Sequence, residues 1–164
     1  MIQRIQSLLL LAAAILNLAV LGTPLWFVNN PIEKNEAVLT GLNIEITGTN
    51  PSITGLGDSK FLLLQFIFIL VASGFTLFTI FNYQDRKKQI RYTFFSRALI
   101  SFQLLITILI VSKELPGMVN SAEEYPGNYG FGLFFPVAAI LLIWFAANRI
   151  KKDEELVKSM DRFR

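Results

Sequence analysis

Four stretches of this chain stay apolar for about the roughly 20 residues that a helix needs to cross a bilayer core. The first runs from Ile5 to Val28 and the second from Phe61 to Tyr83, both without a charge. The third, Tyr92 to Ser112, is interrupted only by Arg97. The fourth, Tyr125 to Asn148, has its apolar body between Phe131 and Ala147. None alternates apolar and polar residues with period two, which argues against a β-barrel. In lipid every backbone N–H and C=O has to be paired within the protein, and helices do that segment by segment. The pattern therefore predicts an all-α membrane protein: one domain over 1–164 with transmembrane helices at about 5–28, 61–83, 92–112 and 129–148, packed as an antiparallel bundle.

The connections carry weaker signals. Gln84 to Arg91 is short enough to make the second and third helices antiparallel neighbours. Between Asn29 and Lys60, the residues Leu42, Ile44 and Ile46 alternate with Asn43 and Glu45 between Gly41 and Gly48, the mark of a short strand in a β-hairpin. Asn50-Pro51 and Gly55-Leu56-Gly57 read as turns. Beyond the fourth span, Leu156, Val157, Met160 and Phe163 fall at spacings of three and four, so the tail from Arg149 to Arg164 reads as an amphipathic continuation of the helix. Trp26, Phe27, Tyr125 and Tyr129 gather at one set of span ends, and Tyr83, Tyr92 and Trp144 near the other, as headgroup-level aromatics do.

Charge gives the orientation. Arg4, Arg86, Lys87, Lys88, Arg91, Arg97 and the tail's Arg149, Lys151, Lys152, Lys158, Arg162 and Arg164 make 12 of the 15 basic residues, all on one side of the alternating spans. Lys34, Lys60 and Lys113 are on the other. The basic side is expected in the cytoplasm, with both termini. The same distribution accounts for the net charge of +3 without nucleic acid as a partner. Arg4, with Val20 and Gly22 downstream, would also suit a cleaved signal peptide. The long uncharged run, the internal Asn17 and the bulk of Val20 argue against it.

The absence of cysteine and histidine excludes disulfides, thiolate nucleophiles, Cys/His zinc sites and histidine-ligated haem. No Asp or Glu lies within a span, so an intramembrane proton relay has no acid to use. A serine hydrolase would lack its base, since no histidine and no intraspan lysine exists. Glu123-Glu124 are adjacent on a loop and solvated. The sequence thus leads to the expectation of no catalytic residue, no metal and no cofactor.

The segment Met1-Ile2-Gln3-Arg4-Ile5-Gln6 before a Leu/Ala run, the basic link Asp85 to Arg91 and the tail Ile150 to Arg164 together resemble a Bacteroidetes family of small four-span membrane proteins, a domain of unknown function. The resemblance covers the whole chain and implies four uncleaved spans in the inner membrane of a Gram-negative bacterium. It implies no activity.

Candidate functional residues are few. Asn17 in the first span and Gln103, with Thr107, in the third are placed to bond between helices or to touch a substrate; the interhelical bond is the simpler reading. Arg97, about 9 Å into the third span at roughly 1.5 Å per residue, is an intramembrane charge, although a long side chain that near a helix end snorkels to the surface. Pro24 and Pro136 read as kinks or helix starts, and Ser73-Gly74, Ala138-Ala139 and Ala146-Ala147 as close-packing surfaces. Arg4, Leu156, Met160 and Phe163 are candidates for docking a partner. Three functions then compete: a non-enzymatic accessory or assembly protein that docks a protein partner or its own copy through its cytoplasmic termini; a small transporter or channel component acting as an oligomer in the bilayer; and an enzyme acting on lipid. The first needs only the features present.

Overall fold

The computed structural model describes residues 5–30, 35–47, 52–56, 58–83, 85–114 and 127–161. Helix α1, Ile5–Ala19, tightens into a 3₁₀ turn at Val20–Gly22. There the helix stops, because Pro24 disfavours helical backbone at Thr23, which is extended at φ −112° and ψ 144°. The Thr23 hydroxyl turns back to donate to the Ala19 carbonyl, 3.1 Å. The apolar run expected to be helical through Val28 is therefore divided between a helix and a strand.

That strand, β1 (Trp26–Asn30), pairs antiparallel with β2 (Asn35–Leu39), which pairs with β3 (Ile44–Thr47), which pairs with β4 (Ser52–Thr54). A two-residue strand β5, Asn128–Tyr129, joins the free side of β1, giving the order β4-β3-β2-β1-β5. A five-stranded sheet thus replaces the single short hairpin expected of an all-α chain. Its register brings Trp26 opposite Leu39, Val28 opposite Ala37, and Leu39 opposite Ile44. Strand side chains alternate between faces, so these apolar residues share one face, while Phe27, Glu45 and Ile53 point away from it.

Helix α2, Lys60–Phe81, is capped by Ser59, whose hydroxyl accepts from the Leu62 N–H at 3.2 Å. Helix α3, Arg86–Leu109, is capped by Asp85 and closes in a π-helical turn, Ile110–Glu114. Helix α4, Phe134–Asp161, follows a 3₁₀ turn at Phe131–Leu133 and runs unbroken into the tail, about 42 Å at roughly 1.5 Å per residue. Pro136 sits in its first turn, where a missing N–H costs nothing. Helix α1 packs against α2 and α4, and α3 packs against α2 and α4.

Two apolar clusters hold these parts. In the first, the inner face of the sheet, with Trp26, Val28, Leu39 and Ile44, lies on Val20 and on the ends of α2 and α3 through Leu62, Ile69, Ile106 and Ile110. The second joins all four helices through Leu10, Ala13, Ala72, Ile100, Ala139 and Ile143. Between the residues that lead into β1 and those that lead into α4 the backbones come very close: Gly130 N–H donates to Leu25 O at 2.8 Å and Gly132 N–H to Pro24 O at 2.9 Å.

Candidate functional site: a polar seam inside the helices

Burial recurs along each helix at alternating spacings of three and four. On α2 the fully covered positions include Leu62, Gln65, Ile69, Ala72, Thr76 and Thr79; on α3 they include Gln89, Thr93, Ser96, Ile100, Gln103 and Thr107. Helix α1 contributes Gln6, Leu10, Ala13 and Asn17, and α4 contributes Ala139, Ile143, Ala146 and Ile150. A repeat of 3.5 residues keeps one seam of each helix turned to its neighbours. The outward faces are apolar: Leu8, Ile15, Ile67, Phe78, Phe94, Phe102 and Leu141 are all exposed. The arrangement inverts that of a soluble protein, with polar residues covered and large apolar ones uncovered, and α2 and α3 supply most of the polar ones.

The hydroxyls of the seam are mostly satisfied within their own helices. Thr76 donates to Ala72 O (2.7 Å), Thr79 to Phe75 O (2.9 Å), Thr93 to Ile90 O (2.7 Å) and Thr107 to Gln103 O (3.1 Å). The amides do something different. Asn17 Nδ2 reaches from α1 to α2, donating to the Ser73 hydroxyl at 2.9 Å and to Ile69 O at 3.3 Å, while its Oδ1 has no partner among the described residues. Gln89 Nε2 donates from α3 to Thr79 O on α2 at 3.3 Å. Gln65 and Gln103 are covered as completely, yet both polar atoms of each side chain lack a partner among the described residues, as does the Ser96 hydroxyl.

Asn17 and Gln103 thus both lie in the seam, but on different levels, and of the two only Asn17 has bonding partners among the described residues. Arg97 lies deeper along its helix than the apolar run implies, because α3 begins at Arg86 rather than Tyr92, so about 16 Å of helix precedes it at roughly 1.5 Å per residue. Its guanidinium carbon is 6.0 Å from the centroid of the Phe94 ring, one turn towards the start of α3, and its Nε is buried without a partner among the described residues. Ser73 is in the seam, but Gly74 is exposed with nothing near it, so this pair is not the close-packing surface expected. Of the tail residues, Leu156 is 63% exposed. Met160 lies in the helical backbone but its side chain is outside the described residues, as are Arg4 and Phe163 entirely.

Gln65, Gln89 and Ser96 were not among the residues singled out from the sequence. A signal existed: Gln65, Thr76 and Thr79 on one apolar segment, and Thr93, Ser96 and Gln103 on the next, with Gln89 in the link just before it, recur at spacings built from threes and fours. Among the described residues no three carboxylates come together to hold a metal ion.

Four helices long and apolar enough to cross a membrane, apolar outside and polar along their seam, put the chain in the class of multi-pass helical membrane proteins. Its family is specific: residues 2–163 match the family described as Domain of unknown function (DUF4293), and the chain belongs to it. A search of curated proteins finds no match.

Proposed function

We propose that this chain is a bacterial inner-membrane protein, a four-helix antiparallel bundle with both termini in the cytoplasm, and that it serves as a non-enzymatic accessory or assembly protein docking a protein partner through its tail. The observation that carries the reading is α4, which continues without a break from its apolar segment to Asp161. Its extension is fixed at the base: Arg86 Nη1, at the start of α3, donates to the Asp153 carbonyl at 2.6 Å, and Ile150 is fully buried. Past that point Leu156 is exposed. An apolar stripe read from the sequence, carried on a helical extension, suits a docking surface. From Lys151 to Arg164 five basic residues face four acidic ones, a near balance that favours ion pairing with protein over attraction to an anionic surface.

The test replaces Leu156, Met160 and Phe163 by Ser in the full-length protein. Membrane integration is expected to survive, because the four spans are untouched, while crosslinks to the partner in native membranes are lost. If crosslinks persist, and a fluorophore at Ser159→Cys responds to anionic but not neutral vesicles, the tail lies on lipid and the docking reading fails.

The polar seam favours a second reading, a small transporter or channel component acting as an oligomer. Against it stand the closed apolar layers of Ile69, Ala72 and Ile100 across the seam and the lack of an acid within the spans. Solute flux in proteoliposomes that disappears on substitution of a seam residue would reverse the preference.

A further inference from the structure

Gln65 and Gln103 share one level of the seam. Gln89 on α3 bonds Thr79 on α2. Because these helices are antiparallel, fourteen residues outward from that bond along each leads to Gln65 and Gln103. Fourteen residues are four full repeats of the 3.5-residue seam, so both side chains return to the face that carries the bond. A ring contact near this level, Phe68 with Phe102 at 6.5 Å, agrees with that register to within two residues.

The level is a boundary. Outward lie Leu62, Ile106 and Ile110 with the inner face of the sheet. Inward lie Ala72 and Ile100, which belong to the second cluster, with Ile69 beside them. Gln65 is 0% exposed and Gln103 1%, and none of their four polar atoms has a partner among the described residues, the opposite amide included. Buried polar side chains are almost always bonded, and a primary amide offers two donor hydrogens and an acceptor oxygen.

We propose that Gln65 and Gln103 wall a closed internal site that binds a small uncharged hydrogen-bonding guest, either water or a neutral hydroxyl- or amide-bearing solute of similar size. The claim is independent of what the tail docks. Charge is disfavoured by the walls: an anion would satisfy the Nε2 groups and leave both Oε1 atoms unpaired, a cation would do the reverse, and among the described residues no ionisable side chain lies at this level to compensate. A neutral guest that both donates and accepts satisfies both amides. Size is limited by the apolar layers on either side. The site ties α2 to α3 beneath the sheet as Gln89 ties them directly at the other end.

Full-length protein in micelles, with its six glutamines labelled at the side-chain nitrogen, tests this. Gln65→Asn and Gln103→Asn identify the two signals, each by its loss; if a variant does not fold, sequential assignment of the wild type replaces it. Long-lived cross-relaxation of both Nε2 groups with a guest is expected. Contacts to water, with no compound recovered from the denatured protein by mass spectrometry, identify water. Contacts to non-exchanging protons, with a neutral compound recovered from the wild type and lost from Gln65→Leu/Gln103→Leu, identify a solute. Amide protons that touch only each other or other protein groups overturn the proposal.

Discussion

At the scale of single residues, the same substitution has opposite effects at two glycines. A Cβ on Gly130 would be driven into the carbonyl of Pro24, backbone that cannot rotate aside, and it would do so where Gly130 N–H holds Leu25 O. Gly130→Ala is therefore expected to destabilise the protein by about 1–3 kcal/mol, the usual range for overpacking. Gly74 lies on an exposed helical face with nothing within 4 Å of its Cβ position. There Ala removes backbone freedom from the unfolded chain and is expected to stabilise by roughly 0.5–1 kcal/mol. Thermal unfolding in one detergent compares the two; equal and small effects would mean that β1 and the start of α4 are not in contact. Asn17→Ala removes the donor to Ser73 and Ile69 and is expected to cost about 0.6 kcal/mol, the mean for interhelical bonds in membranes. Its residue type and position inside an apolar run made Asn17 legible from sequence. The glycines were not, because what they touch comes from a distant part of the chain.

At the scale of elements, α3 provides a pH test. The Lys88 side chain bonded to Asp85, with the Lys88 N–H second, lowers the Asp85 carboxyl below its ordinary value of 3.8. The ion pair is 3.1 Å long and the N–H contact 3.2 Å. A carboxyl lowered by folding stabilises the folded state above its unfolded value, and that contribution disappears as pH falls through the folded one. Unfolding followed from neutral pH to below 3.8 should therefore show a loss at the acid end that Asp85→Asn, which still caps the helix, does not share. The effect is small, because the ion pair lies at the solvent-exposed surface. A variant with the same acid dependence as the wild type would remove the cap from the account.

The helices themselves were readable, since a run of some 20 apolar residues leaves few alternatives. The sheet was readable only in part. The alternation of Ile44, Glu45 and Ile46 announced β3, but Trp26 to Val28 continue an apolar run that began in α1, and only Pro24 marks the change from helix to strand. β5 has two residues, too short for any periodicity, and exists because it lies beside β1. The seam was half legible: Gln103 stood out as a lone amide in an apolar segment, and Gln65 carried the same signal. That Gln89 bonds across while those two do not depends on the pairing of α2 with α3, which no single segment encodes.

At the scale of the whole molecule, the expected orientation rests on parts that point the same way. The ends of α2 and α3 beneath the sheet, the 3₁₀ turn that closes α1 and the one that opens α4 all lie at one end, since the sheet packs on the first three and β5 leads into the fourth. At the other end are the start of α1, the link between α2 and α3, and the extension of α4, where Arg86, Lys87, Lys88, Arg91, Arg149, Lys151 and Lys152 gather. Lys60 and Lys113 are the basic residues of the sheet end among those described. Translocating a basic end against the membrane potential is unfavourable, so the sheet is expected in the periplasm and the basic end in the cytoplasm. The strands place that end outside the hydrocarbon: open strand edges are excluded from lipid, whereas in water they are solvated. A reporter active only in the periplasm should be silent when fused after Arg164 and active when inserted at Asn50, between β3 and β4. Moving charge should then move the protein: replacing Arg86, Lys87, Lys88 and Arg91 by Gln while adding Lys residues beside Asn50 is expected to give a mixed population at both reporter sites. A reporter active after Arg164 in the unaltered chain would invert the topology and put the tail, with the docking role proposed for it, on the opposite side of the membrane.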